Sequence, residues 1–351
     1  MKRVRFGVIG AGGIADRRTI PAMIESDKAE LIAVMDINGQ AAERVREKYH
    51  AKRAYTIDTD LVKDPEVDAV YIASPVEMHA RQACLAADYG KHILIEKPLA
   101  MTSLEGQSVI DYCKGRNVLI AAGFMMRFGS YVLEMKRFIA EKKIGDMVSG
   151  FAQFTCWYPD IPGNWRQSKK SGGGGALMDM GVHCIDLLQH ISGSKVVEVS
   201  AFNDTLTFGY EVEDSSMVLL RLANGAMCLV QSNFNIPDEA AKWRLEFFGT
   251  RGRLLGHNII GQVDGGTLDA VFLDKVGGYD AKQDAGSAES AQLPVELGNM
   301  YRREIDSFCH SILNGAPLYV PASDAVQVQR VVEAAYRAGR EKIVVSLDTA
   351  R

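Results

Sequence analysis

The chain has 351 residues, 47% of them hydrophobic and 24% charged, which suits a packed globular protein and excludes a largely disordered one. Forty Lys and Arg against 44 Asp and Glu give a net charge of -4, without the basic excess usual for a nucleic-acid binder, so no nucleic-acid partner is expected. No run approaches the roughly 18 apolar residues of a membrane helix, and no membrane partner is expected either. The strand-like Val4, Phe6, Val8 and Ile9 leave no signal-peptide pattern, and Cys84, Cys113, Cys156, Cys184, Cys228 and Cys309 show no CxxC spacing. A reducing cytoplasm without disulfides is the expectation.

In chain order, Val4–Ile9 is a β-branched run that ends on Gly10-Ala11-Gly12-Gly13-Ile14-Ala15, with a helix predicted to about Glu25. Leu31–Met35 is a second buried run closing on Asp36, followed by a charged helix from Gln40 to about Tyr49. Further continuous runs, Ala69–Ala73, His92–Ile95 and Val118–Ala122, are separated by helical stretches, one of them Glu77–Tyr89 before Gly90. Continuous apolar strands between helices predict a parallel sheet covered on both faces. Beyond about residue 124 the pattern changes. Met217–Leu222, Asn224-Gly225 and Met227–Val230 form a hairpin signature, and Trp243–Phe248 with Arg253–Leu255 a second. Val148–Trp157, Val196–Phe202 and Leu268–Leu273 supply further strands; Met300–Leu313 and Ser323–Arg340, the latter capped by Ser323, supply two final helices. The fold class predicted is α/β, in two domains: a Rossmann, doubly wound parallel sheet over 1–124, and an α/β domain with an open, mainly antiparallel sheet over 125–351.

Gly10-x-Gly12-x-x-Ala15 sits between a strand and a helix, and Asp36 ends the next strand, as a dinucleotide fingerprint requires. Gly10 permits the tight turn, Gly12 lets the backbone approach a pyrophosphate, and the helix start at Gly13 and Ile14 offers free N–H groups to the phosphates. An ordinary glycine turn lacks this set of flanks. Asp36 can accept hydrogen bonds from the adenosine ribose hydroxyls, and Ile37-Asn38 follow it where NADP-selective chains place an Arg. The cofactor expected is therefore NAD rather than NADP.

Glu96-Lys97-Pro98 follows the run His92–Ile95. Taken with the fingerprint, Met126-Arg127-Phe128 and the stretch from Gly173 to His183, it makes the chain resemble the Gfo/Idh/MocA oxidoreductase family along nearly its whole length. Ser74-Pro75 with His79, Phe248–Gly252, and Pro321 with Asp324-Ala325 add to the resemblance, while Val76 and Met125 stand where relatives often carry Asn. The resemblance implies a catalytic set of Lys97, Asp179 and His183. It implies cofactor contacts from Gly10, Gly12, Gly13, Ile14, Asp36, Ser74, His79, Glu96, Lys97, Arg127 and Trp165. Substrate contacts are implied for Lys97, Arg166, Asp179, His183 and Tyr301.

The chemistry of these residue types agrees. Oxidising a secondary alcohol needs a base for the hydroxyl proton and a donor that steadies the developing alkoxide. Pro98 holds the residue before it extended and so aims Lys97, and the bond between them can be cis. Asp179 and His183 are four apart and share a helix face, and imidazole titrates near working pH. Asp186 extends that face, but no further ligand cluster accompanies the three, so no metal is expected. His50, His190, His257 and His310 have no motif around them and are read as structural. The activity expected is hydride transfer between a nicotinamide and a secondary alcohol of a polyol, sugar or sugar derivative. Two other readings stay open: a glycoside-cleaving enzyme using transient oxidation, marked by turnover without net NADH, and a non-catalytic dinucleotide sensor. An exposed sheet face in the second domain predicts a homodimer or homotetramer.

Overall fold

A computed structural model describes residues 2–279, 281 and 290–347. The chain divides into two units. The first is Met1–Met125 with Gly163–Gly174 and Asn299–Arg330, and the second is Met126–Pro162, Gly175–Gly298 and Val331–Arg351.

In the first unit, six strands form a parallel sheet: β1 (Val4–Ile9), β2 (Ala29–Met35), β3 (Arg53–Tyr55), β4 (Ala69–Ile72), β5 (His92–Glu96) and β6 (Ile120–Gly123). Their order is β3-β2-β1-β4-β5-β6, so the chain direction across the sheet reverses between β1 and β4. Doubly wound folds bind ligands outside the carboxyl ends of the strands at such a switch point. Every residue of β4, and every residue of β1 except the half-buried Arg5, is buried, as expected where helices cover both faces of a parallel sheet. The helices are α1 (Ile20–Glu25), α2 (Gly39–Tyr49), α3 (Asp58–Lys63), α4 (His79–Asp88) and α5 (Ser103–Gly115).

The expectation that 125–351 forms one continuous domain is corrected in this unit. The later helix Met300–Asn314 is amphipathic and buries Ile305, Phe308 and Cys309 in the same core as Val4, Phe6 and Leu31. The rings of Phe6 and Phe308 lie 6.3 Å apart. Further on, Ala122 N–H donates to Val320 O (3.1 Å), closing the open edge of β6. A helical stripe is legible in sequence, but which sheet it covers is not.

In the second unit, α6 (Ser130–Ala140) packs on α8 (Val182–Ser192), which packs on β7 (Met147–Thr155), and the short α7 (Lys169–Gly172) lies in the first unit. The other strands are β8 (Val196–Asp204), β9 (Ser215–Leu222), β10 (Met227–Asn233), β11 (Arg244–Gly249), β12 (Gly252–His257), β13 (Thr267–Phe272), β14 (Ala291–Gln292) and β15 (Val345–Ser346). They form one sheet, β14-β13-β12-β11-β7-β10-β9-β8-β15. All its pairings are antiparallel except β7 with β10. Both predicted hairpins, β9–β10 and β11–β12, are present. Along β9, Val218, Leu220 and Leu222 are buried, whereas Met217 and Leu219 are exposed. α9 (Met300–Asn314) and α10 (Ala322–Glu341) complete the described helices. α10 starts at Ala322, so Ser323 lies within the helix and does not cap it. No described helix is long and apolar enough to cross a membrane.

Candidate active site

The switch point of the first unit is built from strand ends. Gly10 has φ +80, and a Cβ there would lie 2.7 Å from the Ser74 nitrogen and 2.8 Å from the Ala73 carbonyl carbon, so only glycine fits. Asp36 turns back toward the loop: its carboxylate accepts from Gly12 N–H (3.3 Å) and Asn38 N–H (2.9 Å). Capping of α2 falls to Asn38, which accepts from the N–H groups of Gln40 and Ala41. Asp36 is therefore not a helix cap, and its half-buried carboxylate stands beside the glycine loop. Gly13 has open space around its Cβ position, and Ile14 leads into a π-helical turn, Ala15–Thr19, ahead of α1. A loop with glycine at 10, 12 and 13 against a strand end, with a fixed carboxylate alongside, fits a dinucleotide.

Three further segments meet at the same sheet edge. Ser74, past β4, donates its hydroxyl to Gln82 Oε1 (2.5 Å). The ring nitrogens of His79 each lie 2.9 Å from a carbonyl oxygen, Nε2 from Ser74 and Nδ1 from Pro98. A neutral imidazole donates to one of them, and burial holds the pKa of His79 down to about 4 despite the pull of both carbonyls. Although the resemblance puts His79 at the nicotinamide side, its nitrogens are taken up in joining the segments of Ser74 and Lys97-Pro98. The Lys97–Pro98 bond is cis.

Glu96 ends β5 and accepts from the Tyr71 hydroxyl (2.5 Å), to which Thr19 Oγ1 donates (2.9 Å). Burial raises the pKa of Glu96; Tyr71, Lys97 and Arg166 oppose it. The Arg166 guanidinium stacks over the Trp165 ring at 4.3 Å, and the following α7 packs on residues 76–78. Trp165 and Arg166 thus stand with Glu96 and Lys97 in one unit, although about 70 residues separate them in the chain. Tyr301 is buried, with no hydrogen-bond partner for its hydroxyl among the described residues. One helical turn on, Glu304 is buried with neither carboxyl oxygen paired among them; burial, then Glu96, pushes its pKa well up. Sequence reading missed Tyr71 and Glu304. A Glu three residues after Tyr301 was the available signal for the second.

The second unit carries the other set. Asp179 lies in a π-helical turn, Leu177–Gly181, that runs into α8, where His183 is 4% exposed beside the Phe154 ring. π turns recur at functional sites. Asp186, further along, is committed to Arg127: Nε donates to Oδ2 (2.9 Å) and Oδ1 (3.1 Å), and both side chains are buried. The resemblance assigns Arg127 to the cofactor; its ion pair with this carboxylate ties the segment before α6 to α8.

A parallel sheet in dinucleotide-binding order, a glycine cradle and a fixed Asp36 define a dinucleotide-binding protein of the Rossmann class. Residues 4–124 match the oxidoreductase family with the NAD-binding Rossmann fold, and residues 132–255 match the GFO/IDH/MocA C-terminal domain. The chain belongs to the Gfo/Idh/MocA family. It is 28% identical to 1,5-anhydro-D-fructose reductase of Ensifer adhaerens, over 89% of this chain and 88% of the relative. It is also 28% identical to D-xylose 1-dehydrogenase (NADP(+)) 2 of Haloferax volcanii, over 98% and 99%. The solved structure of levoglucosan dehydrogenase with NADH and levoglucosan superposes with a TM-score of 0.88, at 23% identity, over 99% of this chain and 100% of that one. The protein is an enzyme of the CH–OH dehydrogenase type, in a family that acts on sugars and polyols.

Proposed function

We propose that the enzyme uses NAD to oxidise, reversibly, a secondary alcohol of a polyol, sugar or sugar derivative. The observation that carries this reading is the carboxyl edge of the parallel sheet, where the Gly10–Ile14 cradle, Asp36 and the Glu96-Lys97 strand end are gathered. Bound there, NAD supplies the hydride acceptor. Gly10, Gly12, Gly13 and Ile14 hold its pyrophosphate, and Asp36 its adenosine ribose. Ser74, His79, Glu96, Arg127 and Trp165 serve the cofactor side, His79 and Arg127 by fixing neighbouring segments.

Lys97 donates a hydrogen bond to the substrate oxygen and steadies it as the proton leaves. His183 Nε2 or Nδ1 takes that proton, and Asp179 holds a neighbouring hydroxyl or the imidazole itself. Arg166 and Tyr301 contribute substrate contacts. A homodimer or homotetramer is part of the same proposal: Phe202, 83% exposed, with Met217, Leu219 and Met227, forms an apolar outer sheet face larger than isolated surface residues. A cytoplasmic setting accords with six cysteines that are all free.

The test is a screen of polyols, sugars and glycosides with NAD⁺ and NADP⁺, read by reduced-nicotinamide absorbance. Turnover with accumulation of NADH on a sugar or polyol supports the reading. Glycoside cleavage without net NADH would replace it. In the same assay His183→Asn should remove most activity and the rising limb of the pH–rate profile; a limb unchanged in an active variant would assign the proton to another base.

A further inference from the structure

We propose that Glu213 is a positioning residue for Asp179 and His183, acting through the backbone turn that carries them. This rests on the role given above to those two residues.

The first N–H groups of a helix have no partner within it. At the turn that opens on Leu177, no side chain of the local sequence supplies one. Glu213 does so from 38 residues away: its Oε1 and Oε2 each accept from Gly175 N–H at 3.0 Å, and Oε1 accepts from Leu177 N–H at 3.0 Å. Its backbone oxygen takes the N–H between them, that of Ala176, also at 3.0 Å. Three consecutive N–H groups therefore converge on one residue. The Tyr336 hydroxyl donates a further bond to Oε1 (2.8 Å). Contact is so close that a Cβ on Gly175 would lie 1.9 Å from the Glu213 carbonyl oxygen.

Glu213 is itself held. Its neighbour Asp214 accepts from the N–H groups of Leu206, Thr207 and Phe208 at 2.8–3.1 Å, and the Asp214 carbonyl accepts from Phe234 N–H at 2.7 Å. The carboxylate that receives the turn thus stands on a pinned backbone. Asp179 N–H in turn bonds Gly175 O at 2.9 Å, so the turn bearing Asp179 hangs from the residue Glu213 grips. His183 follows one turn later. A displacement of about 1 Å at a reacting group can cost about a hundredfold in rate.

Glu213→Gln keeps the shape but leaves a single acceptor oxygen and turns an NH₂ toward a backbone N–H, which can only donate. Relative to wild type, kcat per folded enzyme should fall tenfold or more, with KM for NAD⁺ within about twofold. The rising limb of the pH profile and the His183 imidazole titration, followed by NMR without substrate, should both shift. Tyr336→Phe, which removes one donor, should move the same quantities less and in the same direction. In a His183→Asn background, Glu213→Gln should add a smaller loss than it causes alone, the remainder being that carried by Asp179. Losses that multiply in the double variant, or a folded Glu213→Gln enzyme with unchanged kcat and His183 titration, would overturn the proposal. If Glu213→Gln does not fold, Tyr336→Phe decides on the same readouts. A fully active His183→Asn enzyme would overturn the assignment of the base, while the His183 titration in Glu213→Gln would still decide the positioning.

Discussion

Coenzyme choice should turn on Asp36. Its carboxylate is held in place before any ligand arrives, by Gly12 and Asn38 N–H groups, and it is half-buried beside the cradle. The 2′-phosphate of NADP would bring a second anion against it. Two unit charges about 5 Å apart repel by roughly 0.8 kcal/mol in water and about 3 kcal/mol at an effective dielectric of about 20. A partly solvated site falls between these limits, and ribose hydroxyls bound to the carboxylate are lost as well. The expected preference for NAD⁺ is at least tenfold in kcat/KM, about 1.4 kcal/mol. Ile37 is 88% exposed, so an Arg can replace it without loss of packing, and the next basic residue downstream is Arg44. Asp36→Ser with Ile37→Arg should therefore reverse the preference while leaving the melting temperature nearly unchanged. The assay is initial rates with each coenzyme at fixed ionic strength, because the repulsion is screened by salt. Equal kcat/KM for NAD⁺ and NADP⁺ in the unmodified enzyme would refute the argument.

Lys97→Ala should lower kcat/KM by about a hundredfold or more, near 2.7 kcal/mol of transition-state stabilisation, while NAD⁺ binding by calorimetry persists; near-normal turnover would remove Lys97 from the mechanism. Arg127→Met takes the guanidinium from the buried Asp186 carboxylate and should cost about 3–5 kcal/mol in urea unfolding, with partial recovery in Arg127→Met/Asp186→Leu; a variant within about 1 kcal/mol of wild type would show that the ion pair carries little. His190 is held down to about 3 by burial, then by Arg127 and Lys136, so below its ordinary 6.5 the unfolded chain binds the extra proton. Stability should thus fall as pH drops from about 6.5, by about 2–3 kcal/mol at pH 4.5, and His190→Gln should flatten that slope of melting temperature against pH.

Local pattern carried much of the first unit. Strand, glycine loop, helix and a closing Asp36 lie within 36 consecutive residues, and each is specified by near neighbours: β-branched runs, a positive φ at Gly10, an acid at a strand end. The hairpin at Asn224-Gly225 is legible for the same reason. Family motifs such as Glu96-Lys97-Pro98 pointed to residues whose roles no periodicity shows. Partner choice was decided elsewhere. That Met300–Asn314 covers the N-terminal sheet, that Arg127 meets Asp186 across 59 residues, and that Glu213 grips Gly175 across 38 depend on which surfaces come together. A buried charge or N–H group must find a partner wherever the chain provides one, and a sequence read locally shows the need but not the donor. Tyr301 and Glu304 make the same point: their amphipathic helix is visible in the sequence, whereas their enclosure near Glu96 follows from the sheet it packs against.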